Sequence, residues 1–260
     1  MLRTRVIPAL LLRSESLVKT VQFGRFTYVG DPANTVRIFN ELEVDELLFL
    51  DITATRERRS PNLKVLRDIA DECFMPLGYG GGIRSLRDAA SVFDTGFEKV
   101  VVNSRALEEP AILSELAAHY GSQAVIASLD VRTDIFGRKH VRMPRGARNS
   151  NRTPVEWARE MESRGAGEIL LTSVAREGTW TGFDLELTRE VSDAVAVPVI
   201  AHGGCGSLAD VGAAVVQGGA SAVALGSMVV FQKKGMGVLV NFPERHQLEE
   251  VLGAGLMRPV

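Results

Sequence analysis

The sequence predicts an α/β protein in which eight parallel strands close into a (β/α)8 barrel. Its 260 residues match the size of one such barrel. Eight short apolar runs are each followed by a segment of helical period or a long loop, as in a parallel sheet covered on both faces. The two halves of the chain also repeat each other. A doubly wound open sheet is the alternative, but it rarely shows two equivalent glycine loops half a chain apart.

The strand predictions are the apolar runs, in which β-branched and leucine residues dominate. They cover residues 5–12, 46–52, 76–80, 98–103, 123–130, 168–173, 197–202 and 221–226. We expect residues 1–260 to form one barrel domain, because no linker or low-complexity segment interrupts this alternation. Segments 13–31 and 131–152 are predicted to be long irregular loops at the catalytic end of the barrel.

The helix predictions follow the apolar period of 3.6 residues. They cover residues 33–42, 62–71, 85–94, 110–119, 153–164, 185–193 and 208–216. One start is especially clear, since Thr153-Pro154-Val155-Glu156 combines a capping box with proline at the first helical position.

The internal repeat is carried by two glycine turns. Gly81 and Gly203 are 122 positions apart, and each turn follows a short apolar strand and precedes a helix that starts at Ser85 or Ser207. A glycine turn at a helix start presents free N–H groups to an anion, most often a phosphate. The sequence therefore predicts a barrel of two similar halves that holds a phosphorylated small molecule with a phosphate at each end.

Composition argues against several classes of partner. The net charge is −2, from 30 basic and 32 acidic side chains, so no general affinity for nucleic acid or membrane is expected. The two cysteines, Cys73 and Cys205, suit neither a disulfide framework nor a metal cluster. The apolar run near the N-terminus is too short to span a membrane. We expect a cytoplasmic protein with no metal and no cofactor.

Several longer blocks resemble the cyclase subunit of imidazole glycerol phosphate synthase, and the match extends from residue 1 to about residue 231. The resemblance implies a (β/α)8 barrel that pairs with a glutaminase subunit. Ammonia released by that partner would cross the barrel and close an imidazole ring on a substrate with two phosphates. The matching blocks are RVIP (5–8), DEL (45–47), FLDITA (49–54), GGGI (80–83), GSQA (121–124) and RGAGEILLTS (164–173).

The resemblance also assigns site residues. It places two catalytic aspartates at the ends of the first and fifth strands, together with a lysine in a mobile loop. Asp130 and Lys19 match two of these three positions. The positions that match the family's phosphate contacts are Gly82, Asn103 and Ser104 on one side and Gly178, Gly204, Gly226 and Ser227 on the other.

The remaining catalytic position departs from the family, because Leu11 stands where the first aspartate is expected. Leucine cannot exchange a proton, and loss of one positioned acid or base commonly costs about 10²–10⁴ in rate. Glu15 lies nearby and could substitute, although a solvated loop charge is the simpler interpretation. Other mouth positions are Asp51, Thr172, Glu177 and His202, of which Glu177 replaces a usual aspartate and His202 a usual small hydroxyl residue. His202 is either a new catalytic group or a hydrogen-bonded strand-end histidine.

The opposite end keeps the family pattern. Side chains alternate along a strand, so if Leu11 faces the barrel mouth then Arg5 faces inward at the floor. The same parity places Lys99 and Glu168 at the floor, and Glu46 opens the second strand at that level. Two cations and two anions can form a closed ring, which in the family is the gate for ammonia. Charged residues that simply meet water at a barrel floor are the alternative.

This chain keeps the family's charged residues at the barrel floor but changes several residues at the mouth. In this combination it resembles divergent cyclase paralogs of surface-polysaccharide synthesis. Those paralogs, with a glutaminase, are thought to feed ammonia to a separate sugar amidotransferase that makes acetamidino sugars. Three functions remain open: such a conducting subunit in O-antigen-type lipopolysaccharide synthesis, the cyclase of histidine biosynthesis (a lyase-type reaction), or a non-catalytic scaffold that activates the glutaminase. The segments that carry this closer resemblance are LL (11–12), VKT (18–20), YVGDP (28–32) and GVLVNFP (237–243).

Overall fold

The computed structural model describes residues 4–143 and 152–253, and within them eight parallel strands close into a barrel. Closure is shown by the last barrel strand, which pairs in parallel with the first through Arg5–Ala222 to Pro8–Leu225. The predicted (β/α)8 fold is therefore confirmed. The eight barrel strands are β1 (Arg5–Arg13), β4 (Leu47–Asp51), β5 (Leu77–Gly80), β6 (Lys99–Val102), β7 (Val125–Thr133), β9 (Glu168–Ser173), β10 (Val199–His202) and β11 (Ala222–Leu225).

Helices follow the strands around the outside of the barrel, and the seven predicted helices are all present with shifts of a few residues at their ends. The helices in the described residues are α1 (Pro32–Glu41), α2 (Ala54–Glu57), α3 (Leu63–Ala70), α4 (Leu86–Phe93), α5 (Ser104–Glu108), α6 (Ala111–Tyr120), α7 (Pro154–Ser163), α8 (Leu185–Ser192), α9 (Leu208–Val216), α10 (Ser227–Val230) and α11 (Arg245–Gly253). The sequence did not predict four of them, the short α2, α5 and α10 and the C-terminal α11.

The prediction that the first long loop is irregular was wrong. Two antiparallel strands, β2 (Ser16–Thr20) and β3 (Phe26–Gly30), form a hairpin that continues from β1. Leu17 and Val18 are both buried, so the hairpin has apolar contacts of its own. The second long loop contains one short strand, β8 (Lys139–Val141), paired antiparallel with β7. The part of this loop at 144–151 lies outside the described residues.

Two apolar layers stabilise the barrel. The larger layer lies between the strands and the surrounding helices and contains residues such as Val6, Leu10 and Phe49. Burial of apolar surface there contributes roughly 25 cal/mol per Å². The smaller layer fills the barrel interior with side chains from alternate strand positions. Its members are Ile7, Ala9, Leu48, Val101, Ile126, Leu170, Ile200, Ala222 and Ala224.

The half-chain repeat is visible in the helix caps. Ser85 and Ser207 adopt nearly the same backbone angles (φ −152°, ψ 164° and φ −154°, ψ 163°). The side chain of each serine accepts a hydrogen bond from the backbone N–H of the residue three positions later. Asn62 and Asp184 form a second such pair, with φ −82°, ψ 88° and φ −80°, ψ 87°. The two halves therefore share local geometry as well as sequence. None of the helices within the described ranges is long and apolar enough to cross a membrane.

Candidate functional site

Four charged side chains meet on the barrel axis at the N-terminal ends of the strands. Arg5 donates from Nη1 to Glu46 Oε2 at 2.5 Å and from Nη2 to Glu168 Oε2 at 2.7 Å. Lys99 Nζ donates to Glu46 Oε1 at 2.9 Å and to Glu168 Oε1 at 2.8 Å. Each cation thus contacts both anions. We call Arg5, Glu46, Lys99 and Glu168 the floor ring.

The floor ring is largely withdrawn from water. The side chain of Glu46 is 3% exposed and that of Glu168 11%, so each carboxylate depends on its cation partners. Burial alone would lower the pKa of Arg5, but its contacts with Glu168 and Glu46 outweigh that effect and raise the pKa. Arg5 is therefore charged at neutral pH, and its contacts with Glu46 and Glu168 join two sides of the barrel floor.

Leu11 lies at the opposite end of the same strand. It shares a strand face with Ile7 and Ala9, both of which belong to the barrel-interior core. Leu11 pairs with Leu50 on β4 and with Val18 on the hairpin, and it is 6% exposed. An apolar side chain therefore occupies the side of the mouth at the end of β1. Glu15 is exposed in the turn between β1 and β2.

Asp130 provides a carboxyl group at the mouth, on β7. It accepts a hydrogen bond of 2.9 Å from the Asn103 side-chain amide. Burial raises its pKa above the ordinary aspartate value, and the positive charge of Arg142 and hydrogen bonds from Asn103 and Thr172 oppose that rise. A buried carboxyl with a raised pKa can carry a proton closer to neutral pH than an exposed one, which suits acid–base chemistry.

Lys19 lies inside the mouth because the hairpin folds across it. Its ammonium group forms an ion pair with Glu177 in the loop after β9 and donates to the Thr20 carbonyl at 2.8 Å. Burial lowers the pKa of Lys19, against the opposing charge of Glu177. Glu177 also accepts from the Thr20 hydroxyl and the Phe23 N–H, both at 3.1 Å. Glu177 therefore anchors the hairpin to the loop after β9, in addition to the pairing of β2 with β1.

His202 and Thr172 stand side by side on neighbouring strands. Thr172 Oγ1 and His202 Nδ1 are 3.1 Å apart, and both residues are buried. Burial lowers the pKa of His202 to about 4, with a further lowering from Lys19. The imidazole is thus neutral near pH 7. Two neutral tautomers are then available, because the contact with Thr172 can form with either residue as the donor.

The first glycine loop approaches its neighbours closely. Gly82 has φ +72°, and a Cβ at that position would lie 2.6 Å from the Arg59 carbonyl oxygen. Asn103 caps α5, whose first residue is Ser104, so the Ser104 N–H lies at a helix start. The loop and the helix start follow adjacent strands, β5 and β6. Gly82, Asn103 and Ser104 are therefore brought to one side of the mouth.

The second glycine loop lies under the hairpin. A Cβ at Gly178 would lie 2.5 Å from the Thr20 carbonyl oxygen, and one at Gly226 would lie 2.7 Å from Lys19 Cε. Gly204 has φ +108° and would clash with the Gly182 carbonyl oxygen at 2.1 Å if it carried a Cβ. A narrow pocket remains, lined by Lys19, Glu177, Gly178, His202, Gly203, Gly204, Cys205, Ala224, Gly226 and Ser227. We call it the hairpin pocket.

Asp51 takes a structural position beside the mouth. Its Oδ1 accepts the N–H groups of Thr53 and Ala54, both at 3.0 Å, and its Oδ2 lies 2.7 Å from Arg59 Nη2. It shares a strand face with Phe49 rather than with the interior Leu48. The carboxylate therefore orders the loop after β4, and that loop supports the first glycine turn.

Sequence reasoning missed the partners that surround the mouth. Arg142, which contributes positive charge near Asp130, also lies over the Phe23 ring at 5.4 Å. Arg59, the partner of Asp51, was likewise not singled out. No motif marks these residues, because their roles depend on loops that cross between strands. Within the described ranges no group of three or more His, Cys, Asp or Glu could hold a metal ion, and Cys73 and Cys205 are free thiols.

The closed parallel barrel with alternating helices defines a (β/α)8 barrel protein, with a charged floor ring at one end and two glycine loops and a buried carboxyl group at the other. A family model described as "Histidine biosynthesis protein" matches residues 5–234. The chain belongs to the family of HisF-like cyclase subunits of imidazole glycerol phosphate synthase.

Several curated proteins are similar over nearly the whole chain. A Pseudomonas aeruginosa protein provisionally named imidazole glycerol phosphate synthase subunit hisF2 is 46% identical over 249 residues, which is 96% of this chain and 99% of that protein. A Vibrio vulnificus protein provisionally named subunit hisF3 is 40% identical over 253 residues, which is 97% of this chain and 97% of that protein. Imidazole glycerol phosphate synthase subunit HisF of Alkaliphilus metalliredigens is 41% identical over 228 residues, 88% of this chain and 90% of that protein.

Proposed function

We propose that the chain is the ammonia-conducting barrel subunit of a glutamine amidotransferase complex. The observation that carries this proposal is the floor ring, in which Arg5 and Lys99 each contact both Glu46 and Glu168. Two buried carboxylates and two partly buried cations at a barrel floor are costly unless each is paired, and an apolar floor of similar volume is often as stable. A ring that opens for a small neutral molecule explains why charge is kept there. A glutaminase of the HisH type would dock against this end.

The acceptor of the nitrogen is proposed to lie outside this barrel. The resemblance implies a pair of aspartates for acid–base chemistry, but Leu11 stands in place of the first and only Asp130 remains. Closure of an imidazole ring in the mouth would therefore lack one of its two proton-transfer groups. A separate sugar amidotransferase in lipopolysaccharide O-antigen synthesis is the acceptor enzyme that we favour. The resemblance to the polysaccharide-associated paralogs supports this choice, and so does the 46% identity to a protein numbered as a second HisF.

The mouth is proposed to keep a ligand with phosphate groups. Gly82, Asn103 and Ser104 would bind one phosphate, and Gly178, Gly204, Gly226 and Ser227 the other, through backbone N–H groups and the serine hydroxyls. Lys19 lies against Gly226 and supplies positive charge beside the second site. Such a ligand would be either a modified substrate or a regulator that reports on the state of the mouth. The proposed complex works in the cytoplasm without a metal or cofactor.

The histidine-pathway cyclase is a second candidate, favoured by a specific observation. Asp130 keeps its buried position and its Asn103 partner, and both glycine loops are present. Relatives at 41% and 43% identity carry the name imidazole glycerol phosphate synthase subunit HisF. A third candidate is a scaffold that only stimulates the glutaminase, which the apolar Leu11 would suit.

Growth of a strain that lacks its histidine cyclase separates the first two candidates. The proposal predicts no growth without histidine when this chain is supplied with its glutaminase. A Leu11→Asp variant, tested in the same strain, shows whether the rest of the cyclase site is competent. Growth with the unaltered chain would overturn the proposal in favour of the cyclase.

The scaffold candidate is tested by measuring where the ammonia released from glutamine goes. A scaffold raises glutamine hydrolysis but leaves all of the released ammonia in solution. A conducting subunit also delivers part of it to the acceptor sugar when the sugar amidotransferase is added. Stimulated hydrolysis without any amidated sugar, in a mixture that makes the sugar from added ammonium, would favour the scaffold.

A further inference from the structure

The large apolar side chains that face solvent are gathered at the two ends of the barrel. Among the described residues twelve such side chains have exposed fractions from 36% to 94%, and nine of them belong to segments at the mouth. The other three are Ile38 and Leu42 on the C-terminal side of α1 and Phe74 just after α3, all toward the floor end. Exposed apolar groups gathered in this way mark surfaces that a partner covers.

Three segments at the mouth carry eight of these nine side chains. We call them the mouth rim, and they are the β2–β3 hairpin with its flanks (residues 14–30), the β7–β8 hairpin (131–143) and the segment after α10 (232–240). Arg142, at the end of the second segment, lies over the ring of Phe23 in the first at 5.4 Å. The two hairpins are therefore neighbours across the mouth.

The turn of the β7–β8 hairpin carries the most exposed apolar side chains of the mouth rim. Ile135 is 94% exposed and Phe136 75%. Asp134 Oδ1 accepts the N–H groups of Phe136 and Arg138 at 2.8 and 2.9 Å, and the Asp134 N–H donates to the Arg138 carbonyl at 2.9 Å. An ordered turn thus presents the two side chains, so a partner that covers them loses little conformational entropy.

The mouth rim is also basic, although the whole chain has a net charge of −2. In its three segments, all of which the structure describes, Glu15 is the one exposed carboxylate. Arginine and aromatic residues are enriched in the cores of protein interfaces, where lysine and acidic residues are depleted. The rim therefore fits a protein that offers apolar pockets within an acidic face. The exposed cations of the rim are Arg25, Arg132, Arg138, Arg142, Lys233 and Lys234.

We propose that the mouth rim is the docking surface for the enzyme that consumes the ammonia. This docking rests on the proposed function, because ammonia that met open water at the mouth would be protonated and diluted before it reached an acceptor. A partner seated on the rim joins the barrel to its own active site. A bilayer would also bind apolar and basic groups, but it would leave the nitrogen without an acceptor.

Binding of the purified sugar amidotransferase to the purified chain, followed by sedimentation velocity, measures the docking. Ile135→Ser/Phe136→Ser removes both apolar side chains and keeps the backbone N–H groups that Asp134 accepts. The double variant should raise the Kd about tenfold or more, as truncation of interface anchors does. Its urea-unfolding midpoint should not change, because both side chains are exposed. Phe74→Ser, 89% exposed at the floor end, is the matched control and should leave this Kd unchanged.

The charge of the mouth rim has a separate test. Added salt should weaken the binding, since it screens attraction between exposed charges. Arg132→Glu should weaken it at low salt, whereas Arg164→Glu, at the C-terminal end of α7, should not. Equal effects of the two charge reversals would contradict an acidic partner face at the mouth.

Four results would overturn the docking. The first is an equal Kd for the unaltered chain and the double variant, and the second is a larger loss of binding in Phe74→Ser. The third is binding to vesicles of phosphatidylcholine and phosphatidylserine that the double variant abolishes, with no binding of the amidotransferase. The fourth is self-association of the chain that the double variant abolishes, again with no binding of the amidotransferase, which would assign the rim to a second copy.

Failure of the docking is distinguishable from failure of the proposed function, because binding needs neither glutamine nor ammonia. A complex that forms through the mouth rim but passes no nitrogen from glutamine to the sugar would keep the docking and overturn conduction. Undiminished transfer of that nitrogen in Ile135→Ser/Phe136→Ser would keep conduction and overturn the docking.

Discussion

Arg5 holds Glu168 with both arms of its guanidinium group across the barrel floor, Nη2 to Oε2 at 2.7 Å and Nη1 to Oε1 at 3.3 Å. The same Nη1 contacts Glu46. A single planar cation therefore fixes two carboxylates on opposite sides of the barrel, that of Glu46 just before β4 and that of Glu168 at the start of β9. Such geometry is available to arginine and not to lysine, whose ammonium group is a point charge.

Arg5→Lys should therefore weaken the floor ring. We expect a loss of about 1–2 kcal/mol in the free energy of unfolding, since one buried carboxylate loses a partner while the partial exposure of Arg5 limits the cost. Urea unfolding measures it. Arg164→Lys is the matched control, because Arg164 pairs with Glu160 on an exposed helix surface. Equal changes in the two variants would contradict a cooperative ring.

The ring should also show strong coupling between Glu46 and Lys99. Glu46→Gln or Lys99→Met alone leaves three charges and a net charge of one in a largely buried site, and removing one partner of a buried ion pair typically costs about 3–5 kcal/mol. The double variant removes both charges and should cost less than the two single changes together. Urea unfolding of all four proteins gives the coupling free energy.

The exposed pair Lys64–Asp68 provides the control for this cycle, with side chains that are 77% and 50% exposed. Its coupling should stay at or below about 0.5 kcal/mol. If the Glu46–Lys99 coupling is no larger than that, the floor ring is a set of solvated charges rather than a closed unit.

His202 should make the protein sensitive to acid. Its folded pKa of about 4 lies below the unfolded value of 6.5, so the unfolded chain binds more protons between those two pH values. Stability from this group is therefore full above pH 6.5 and is lost as the pH falls toward 4. By linkage the loss is up to about 3 kcal/mol.

Unfolding free energies at pH 7 and pH 4.5 measure this effect. His202→Asn should reduce the difference between the two pH values, while His246→Asn should leave it unchanged, because the His246 side chain is 71% exposed. An identical acid sensitivity in the unaltered chain and in His202→Asn would show that His202 is not held neutral by burial.

Glu177 should control the closure of the hairpin. In Glu177→Gln the buried Lys19 loses its counter-charge, and releasing the lysine to water is less costly than keeping it unpaired. We expect faster amide hydrogen exchange at Thr20 and Phe23, with little change at β5 in the barrel wall. Glu115→Gln, at an exposed position on α6, is the control. Unchanged exchange at Thr20 would mean that the pairing of β2 with β1 and the apolar contacts hold the hairpin without the Glu177 carboxylate.

The barrel could be predicted from sequence because its signals are local and repeated. Alternating apolar runs and helical periods indicate the eight units, and the strand parity of Arg5 and Leu11 places one at the floor and the other at the mouth. The floor contacts follow from that parity, since side chains on the same inward layer of a narrow barrel must meet.

The hairpin could not be predicted in the same way. Its position depends on the contact between Lys19 and Glu177, which are 158 residues apart. The long loop after β1 carries no turn motif strong enough to fix a register, so its sequence suggested an irregular segment. The contact between Thr172 and His202 was missed for a similar reason, because it joins side chains on two strands that are 30 residues apart in the chain.

Passage of ammonia through the floor ring is tested most directly by isotope competition. The complex with its glutaminase and sugar amidotransferase would receive glutamine labelled with nitrogen-15 in the side-chain amide, together with excess unlabelled ammonium. If ammonia passes through the barrel, product made by the unaltered complex keeps most of the label, while the Lys99→Met complex still hydrolyses glutamine but makes product whose nitrogen comes from the medium. Equal dilution of the label in both complexes would contradict conduction through the barrel.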